Sequence, residues 1–197
     1  MSLSAGQGCP DLCWGTLAGV GHVLTTERLV LRPVTPGDHA AVLAHWTLPD
    51  VRGFLFDGEA LSAAEVTETI EESIRDFATG GYGVWLIEAA GEAGLVSGAG
   101  LVSGAGLVGT AGLRPLEDLG LEIFYSLAPE SWGRGYATEA ASAVVDHALG
   151  PLGLREILAE VDEDNAASVA VVKRLGMTPF AVVPGVLGPM TRYRKTA

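Results

Sequence analysis

Basic residues are scarce in this sequence. Its 197 residues include 12 lysines and arginines against 24 aspartates and glutamates, so the formal net charge at pH 7 is −12. A nucleic-acid-binding protein normally presents a basic surface that neutralises phosphates, and this composition argues against one. A cationic substrate is compatible with the charge, although most acidic proteins are acidic only for solubility. The acidic balance therefore excludes a class of partner without identifying one.

Cysteine and histidine patterns that bind metals are absent too. The two cysteines, Cys9 and Cys13, do not form a C-x-x-C motif, and the four histidines show no H-x-x-x-H spacing. We therefore expect neither a metal site nor a disulfide framework. The first basic residue is Arg28, so no basic segment precedes an apolar stretch as in a secretory leader. We expect a cytoplasmic protein.

One run without charge is long enough to cross a bilayer, the 21 residues from Ala93 to Leu113. Seven of them are glycine, and each glycine costs a helix about 1 kcal/mol relative to alanine. No lysine, arginine or aromatic belt flanks the N-terminal side. The sequence therefore predicts no membrane span.

With 48% hydrophobic and 18% charged residues, a chain of this length is expected to fold as one domain.

The same run is a short internal repeat. AGLVSG occupies residues 93–98 and again 99–104, and AGLVGT follows at 105–110. A period of six is similar to that of left-handed β-helix acyltransferases, but three copies make a single coil, too little to bury a core. We expect instead a duplicated hexapeptide that lengthens a strand or hairpin. Because six is even, a slip of the strand by one copy keeps every side chain on its original face. The sequence therefore does not decide the register of this strand.

Hydrophobic periodicity predicts a three-layer mixed α/β domain over residues 25–197, after an arm of low order at residues 1–24. The predicted order is β-α-α-β-β-β-α-β-α-β-β. Strands are expected at 28–34, 84–90, a segment ending near 113, 121–127, 156–161, 180–183 and 191–195. Helices are expected at 38–46, 62–80, 134–149 and 166–175. Asp38 is the expected N-cap of the first helix, and Ser62 with Glu65 fits a capping box for the second, whose buried face includes Ile74.

The segment from Ser126 to Ala140, SLAPESWGRGYATEA, carries the most chemical information. It reads as a strand, a loop with two glycines and the start of a helix. Glycines let the backbone turn tightly, and the free N–H groups and dipole of the following helix attract anions. Arg134 adds a cation and Thr138 adds a hydroxyl. The pattern therefore indicates a pyrophosphate cradle.

Three motifs resemble the GCN5-related N-acetyltransferase (GNAT) superfamily. Trp132-Gly133-Arg134-Gly135-Tyr136-Ala137 is similar to its acetyl-CoA loop, Q/R-x-x-G-x-G/A. Asn165 to Ser168 and Lys173 to Met177 are similar to its second signature, N-x-x-S followed by K-L-G-F/M. Residues 25–38, TTERLVLRPVTPGD, resemble the opening of the branch that acetylates ribosomal-protein N-termini. The resemblance runs in order from about residue 25 to the end.

The resemblance implies a mixed, mostly antiparallel sheet that splays between its fourth and fifth strands, with helices on both faces. It also implies acetyl-CoA as co-substrate and direct transfer in a ternary complex to a protein N-terminus or a small-molecule amine. Backbone groups near Ser126 and Leu127 would hold pantetheine, and the Leu127 N–H would donate to the thioester oxygen. The other cofactor contacts implied are Gly133, Arg134, Gly135, Tyr136, Ala137, Thr138 and Asn165. Homodimers are common in the family.

Two positions depart from the family pattern. Trp132 stands where Gln or Arg is usual, and Val172 stands where many relatives carry a tyrosine that protonates the departing thiolate. Ser168 is the candidate replacement acid, with helix packing as its alternative role. Glu122 is the candidate base for the attacking amine, with a structural salt bridge as its alternative. The missing tyrosine keeps a second function open, an acyl-CoA-binding sensor without catalysis.

Overall fold

The computed structural model describes residues 20–90 and 106–197, which form one eight-stranded sheet with helices on both faces. The strands are β1 (Leu24–Thr25), β2 (Leu29–Pro33), β3 (Val84–Ala89), β4 (Leu107–Leu116), β5 (Gly120–Leu127), β6 (Glu156–Asp162), β7 (Thr178–Pro184) and β8 (Pro189–Thr196). The helices are α1 (His39–Trp46), α2 (Pro49–Leu55), α3 (Ala63–Gly80), α4 (Tyr136–Leu149) and α5 (Ala166–Arg174). The strand order is β1-β2-β3-β4-β5-β6-β8-β7. The expected mixed α/β fold is confirmed.

The sheet parts between β5 and β6. These strands form its one parallel pair within the described residues, and a single ladder contact, Glu122 with Leu158, joins them. Every other neighbouring pair of described strands is antiparallel. The expected splay between the fourth and fifth strands is thus confirmed. Because the short β1 was not anticipated, the splay lies between the fifth and sixth strands in the observed numbering.

Two hydrophobic clusters cover the opposite faces of the sheet. Alternate residues of β3 show the division, because Trp85 and Ile87 belong to the cluster under α4 and α5. Val84 and Leu86 belong to the other cluster, which contains the buried hydrophobic residues of α1, α2 and the N-terminal half of α3. The loop that precedes α4 and the helices α1 and α2 therefore approach the parted strands from opposite sides.

Helix α3 begins and ends where the sequence indicates. The Glu65 N–H donates to the Ser62 hydroxyl (3.3 Å) and the Ser62 N–H donates to the Glu65 carboxylate (2.7 Å), which confirms the capping box. Gly81 follows the helix in the left-handed conformation, with φ of 72°. The assignment of Ile74 to the buried face was wrong, since it is 37% exposed. Ser73 is buried instead, and its hydroxyl accepts a backbone N–H of β3 (2.8 Å).

Two local features near α1 differ from expectation. Helix α2 was not anticipated, because seven residues that include Gly53 are too few to show a helical period. It begins with Pro49, whose missing N–H would have no helical acceptor in the first turn. Asp38 immediately precedes α1 as expected, but its side chain makes no cap hydrogen bond. The carboxylate instead accepts from Thr35 (2.7 Å) and Arg32 (2.8 Å).

Two residues of the third repeat copy fix the register of β4; the first two copies lie outside the described residues. A Cβ atom on Gly109 would overlap the carbonyl oxygen of Ser126 in β5. Thr110 is fully buried, and its hydroxyl accepts the indole N–H of Trp46 (3.0 Å). A slip by one copy would bring the residues of 103–104, Ser and Gly, to these two positions. The third copy therefore fits this register and the other two do not.

The expected arm at residues 1–24 falls largely outside the described residues. Its last residues are placed: the His22 carbonyl accepts the indole N–H of Trp85 (2.6 Å), and Leu24 pairs with Leu31. Within the two described ranges, no helix is both long enough and apolar enough to cross a membrane.

Candidate active site

A cleft of about 1150 Å³ opens between β5 and β6. Its walls come from the C-terminal halves of both strands, from α2, from α5, from the N-terminus of α4 and from the β7–β8 turn. The space exists because the two strands separate beyond Glu122 and Leu158. The cleft is large enough for an extended cofactor and a small second ligand.

The C-terminal end of β5 presents an unpaired backbone edge to this cleft. The Ala128 N–H donates to the Val108 carbonyl in β4 (2.9 Å). Successive N–H groups of a strand point to alternate sides, so the Leu127 N–H is directed toward β6. The β5–β6 ladder has no pair at that level. A ligand with an extended amide chain can occupy this edge like an added strand.

The loop before α4 provides free amides to the same cleft. Gly133 and Gly135 adopt the left-handed conformation, with φ of 73° and 80°, which allows the tight turn. The Glu139 N–H makes a helical hydrogen bond to the Gly135 carbonyl (3.1 Å). The preceding N–H groups, those of residues 136–138, therefore have no helical acceptor, and all three residues line the cleft. Such a helix N-terminus binds phosphate groups.

Arg28, in the turn before β2, holds this loop in place. Its guanidinium donates to the Arg134 carbonyl (2.9 Å) and to the Glu139 carboxylate (2.7 Å), and it lies 4.9 Å from the centre of the Tyr136 ring. Burial favours a higher pKa for Glu139, but hydrogen bonds from Thr26 and Arg28 outweigh it and hold that pKa below its ordinary value. The ion pair is therefore charged at neutral pH and positions the loop in the free protein.

Trp132 links the loop to β5. Its indole N–H donates to the Leu127 carbonyl (2.9 Å), while half of its surface stays exposed. This contact occupies the carbonyl of Leu127 and leaves its N–H directed into the cleft. Arg134, the expected cation, is exposed and does not line the cleft. In this geometry the free amides of the loop face the cleft and Arg134 does not.

One wall of the cleft carries two hydroxyl groups beside the N-terminus of α5. The side-chain oxygen of Asn165 accepts the Ser168 N–H (3.0 Å), which is an N-cap contact, and both residues line the cleft. The Tyr125 hydroxyl donates to the Ser168 carbonyl (3.4 Å). Burial raises the pKa of Tyr125 to about 12, so the phenol keeps its proton at neutral pH. Ser168 and Tyr125 are both proton donors by their chemistry.

Glu122 lies at the base of the cleft and is 4% exposed. One carboxylate oxygen accepts from Arg114 Nε (2.7 Å), and the other accepts the Glu160 N–H (3.4 Å). The salt bridge that the sequence left as an alternative is therefore present. A role as base requires the incoming amine to share or displace one of these two contacts.

A buried polar chain connects α1 to the cleft. His45 Nε2 lies 2.9 Å from the Ser126 hydroxyl, which lies 3.0 Å from the Thr110 hydroxyl. His45 is 3% exposed, and burial lowers its pKa to about 4, so the imidazole is neutral at pH 7. Ser126 lines the cleft, so this chain fixes the position of a hydroxyl group in its wall.

The structure brings the sequence-predicted residues to one place. All but Arg134 line the cleft: Glu122, Ser126, Leu127, Gly133, Gly135, Tyr136, Ala137, Thr138, Asn165 and Ser168. No motif in the sequence indicates His45 or Asp162, which also belong to this region. The sequence VDEDN gives no sign that Asp162 is buried while Glu163 and Asp164 are exposed. The strand must be placed in the sheet before that difference is visible.

Parted parallel strands beside a glycine-rich helix N-terminus define a class of protein, the acyltransferases that take their acyl group from coenzyme A. Comparison with known proteins agrees. The family model described as an acetyltransferase (GNAT) domain matches residues 28–178. The chain belongs to the GNAT acetyltransferase family.

Individual relatives are consistent with this assignment. An uncharacterized N-acetyltransferase of Bacillus subtilis, YoaA, is 31% identical over 82% of this chain and 85% of the relative. An acetyltransferase structure from Agrobacterium tumefaciens is 25% identical and covers 96% of this chain and 100% of its own, with a TM-score of 0.71. RimL, a ribosomal L7/L12 α-N-protein acetyltransferase solved with coenzyme A, shares the fold at 17% identity, with 88% and 97% covered and a TM-score of 0.70.

Proposed function

We propose that this protein transfers the acetyl group of acetyl-CoA to a primary amine by direct attack in a ternary complex. The observation that carries the proposal is the continuity of one cleft. Free amides of the α4 N-terminus, the unpaired edge of β5 and the Glu122 carboxylate all border the same space. Donor and acceptor can therefore meet without an acetylated form of the protein.

The donor contacts are proposed in the order in which the chain presents them. The amides of residues 136–138 bind the pyrophosphate, Asn165 binds the pantetheine, and the Leu127 N–H donates to the thioester oxygen as it gains charge. The loop has room for such a ligand, because a Cβ atom built on Gly133 would meet no atom within 4 Å.

The chemical step needs two proton transfers. The nitrogen of a neutral amine attacks the thioester carbonyl carbon, and the carbon–sulfur bond breaks. The proton that the amine loses passes to Glu122, directly or through water, and the departing thiolate takes a proton from Ser168. Solvent water then reprotonates Ser168 and takes the proton from Glu122, so both residues return to their starting forms. Tyr125, whose hydroxyl donates to the Ser168 carbonyl, is the second candidate for this acid.

The acceptor class is narrowed only in part by the relatives. RimL is named as an acetyltransferase of a protein α-amine. The likeness of residues 25–38 to that branch keeps a protein N-terminus among the acceptors, beside small-molecule amines.

The proposal is tested by following thiol release from acetyl-CoA with a panel of primary amines, with products identified by mass spectrometry. We expect amine-dependent thiol release, intersecting initial-velocity lines and no acetyl group on protein incubated with acetyl-CoA alone. Acetyl-CoA binding with no product from any amine would favour the acyl-CoA sensor. An acetylated protein that passes its acetyl group to the amine would contradict direct attack.

A further inference from the structure

We propose that Asp162 forms a cation subsite at the α2 end of the cleft, and that it binds the second ammonium group of a small aliphatic diamine whose first amine is acetylated. The inference rests on the proposed function and deepens it by naming the acceptor class.

The register of the parted strands places Asp162 opposite β5. Four residues beyond the pair of Glu122 with Leu158 lie Ser126 on β5 and Asp162 on β6. Every second residue of a strand shares a face, so these two side chains lie on the same side of the sheet. Ser126 contacts His45 of α1 (2.9 Å), which identifies that side as the one covered by α1, α2 and α3. The loop before α4 lies on the other side.

Asp162 is buried, and one oxygen of its carboxylate lacks a partner. The residue is 7% exposed, and its Oδ1 atom is buried with no hydrogen-bond partner in the described part of the chain. Buried polar atoms in folded proteins nearly always have a partner, so an orphan acceptor marks a place where a ligand can donate. Asp162 lines both the main cleft and a second cavity of about 250 Å³ beside it. A ligand in the cleft can therefore reach it.

The charge around Asp162 favours a cation. Two acidic residues of the cleft are paired with arginines: Glu122 with Arg114 and Glu160 with Arg192. Asp50, Asp57 and Asp162 also line the cleft, and none of the ion pairs among residues 20–90 and 106–197 includes them. Burial, and after it the charge of Asp57, raises the pKa of Asp162. A bound cation would oppose both effects, because its positive charge favours the ionised carboxylate.

The reaction itself requires the cation to be a second group. The attacking amine must be neutral, so a nitrogen that stays charged at Asp162 has to belong to another part of the same acceptor. Phe54 and Leu187 line the second cavity beside Asp162 and suit a methylene chain. The volume of this second cavity fits a short aliphatic chain with an ammonium group. A protein acceptor with a basic N-terminus would need room for its polypeptide chain as well.

The subsite is tested first by binding. Calorimetric titrations of the CoA-saturated protein with diaminobutane, and with butylamine as the monoamine control, are compared for wild type, Asp162→Asn and Asp146→Asn. Asp146 is exposed on α4 and does not line the cleft. We expect diaminobutane to bind the wild-type protein more tightly than butylamine does. Asp162→Asn should weaken the binding of diaminobutane by about tenfold or more, and Asp146→Asn should bind it like wild type. Thermal unfolding checks that each variant is folded. If Asp162→Asn does not fold, Asp57→Asn is tested in its place.

Turnover with acetyl-CoA separates this inference from the proposed function. The ratio of kcat/KM for diaminobutane to that for butylamine should exceed ten in wild type and fall several-fold in Asp162→Asn. A ratio near one, or equal losses for both amines in the variant, would overturn the subsite and leave acetyl transfer standing. Diaminobutane binding that Asp162→Asn loses, without any acetylated product, would support the subsite and contradict the transferase. A basic peptide that binds and reacts better than diaminobutane would overturn the choice of a small diamine.

Discussion

Among single residues, His45 makes the stability of the fold depend on pH. Its pKa is about 4 in the folded protein and 6.5 as an ordinary value, so the unfolded chain binds a proton between these limits that the folded chain does not. Stability therefore falls as pH falls from about 6.5 to about 4, and the loss attributable to His45 is about 3 kcal/mol. His45→Gln removes the titrating group, so its unfolding free energy should change less over this window.

Urea unfolding at the two ends of the window measures the difference. His39→Gln is the control, because His39 is only partly buried, whereas His45 is 3% exposed. It should keep the wild-type dependence on pH. Identical dependence in His45→Gln and wild type would show that the buried imidazole does not destabilise the fold in acid.

Mutation can separate the two possible roles of Glu122, that of a base for the amine and that of a structural salt-bridge partner. Glu122→Gln keeps a hydrogen-bond acceptor for Arg114 but removes the basic carboxylate, and should lower kcat by about 100-fold or more if Glu122 accepts the amine proton. Arg114→Gln removes the ion pair and keeps the carboxylate, so it should cost much less. Steady-state kinetics with a saturating amine decides between them. Equal losses in the two variants would assign Glu122 the structural role of the salt bridge.

At the scale of elements, the pairing of β4 with β5 depends on two residues of the third repeat copy. Gly109→Ser with Thr110→Gly gives this copy the sequence of the other two. The serine would overlap the Ser126 carbonyl, and the indole N–H of Trp46 would lose its buried acceptor. Overpacking and an unsatisfied donor each cost about 1–3 kcal/mol, so the free energy of unfolding should fall by several kcal/mol.

Chemical denaturation measures this change, with Gly106→Ser as the control. Gly106 belongs to the same repeat copy, and a Cβ atom there would meet no atom within 4 Å. Its variant should lie within about 0.5 kcal/mol of wild type. A double variant as stable as wild type would mean that β4 can pair in the shifted register.

The elements that could be predicted from sequence are those whose signals are local. The capping box of α3 and the glycine loop before α4 identify themselves within a few residues. Helix α2 could not be predicted, because its seven residues make fewer than two helical turns, too few for a hydrophobic pattern to repeat, and because it packs on a sheet that the sequence does not show. The register of β4 also could not be predicted, since it depends on contacts with β5 and α1 that lie far away in the chain.

For the whole molecule, the two sides of the cleft differ in charge. The loop before α4 presents free amides suited to an anion, and the α2 side presents Asp50, Asp57 and Asp162, which suit a cation. The family loop predicts the first side from sequence. The net charge of −12 does not predict the second, because acidic residues are spread along the chain and only the fold brings these three together. The burial of Asp162, and the lack of a partner for its Oδ1 atom among the described residues, become apparent only once β6 is placed in the sheet.

The central claim, that the parted strands and the α4 loop bind acetyl-CoA for transfer, is tested most directly by calorimetric titration with acetyl-CoA. Gly135→Glu puts a side chain and a negative charge among the free amides, and Gly153→Glu is its matched control. Gly153 has a similar φ, 66° against 80°, open space around an added Cβ and a position outside the cleft. Wild type and Gly153→Glu should bind one acetyl-CoA per chain, and Gly135→Glu should bind at least about 100-fold more weakly. Failure of the wild type to bind, or equal affinity in Gly135→Glu, would contradict the claim.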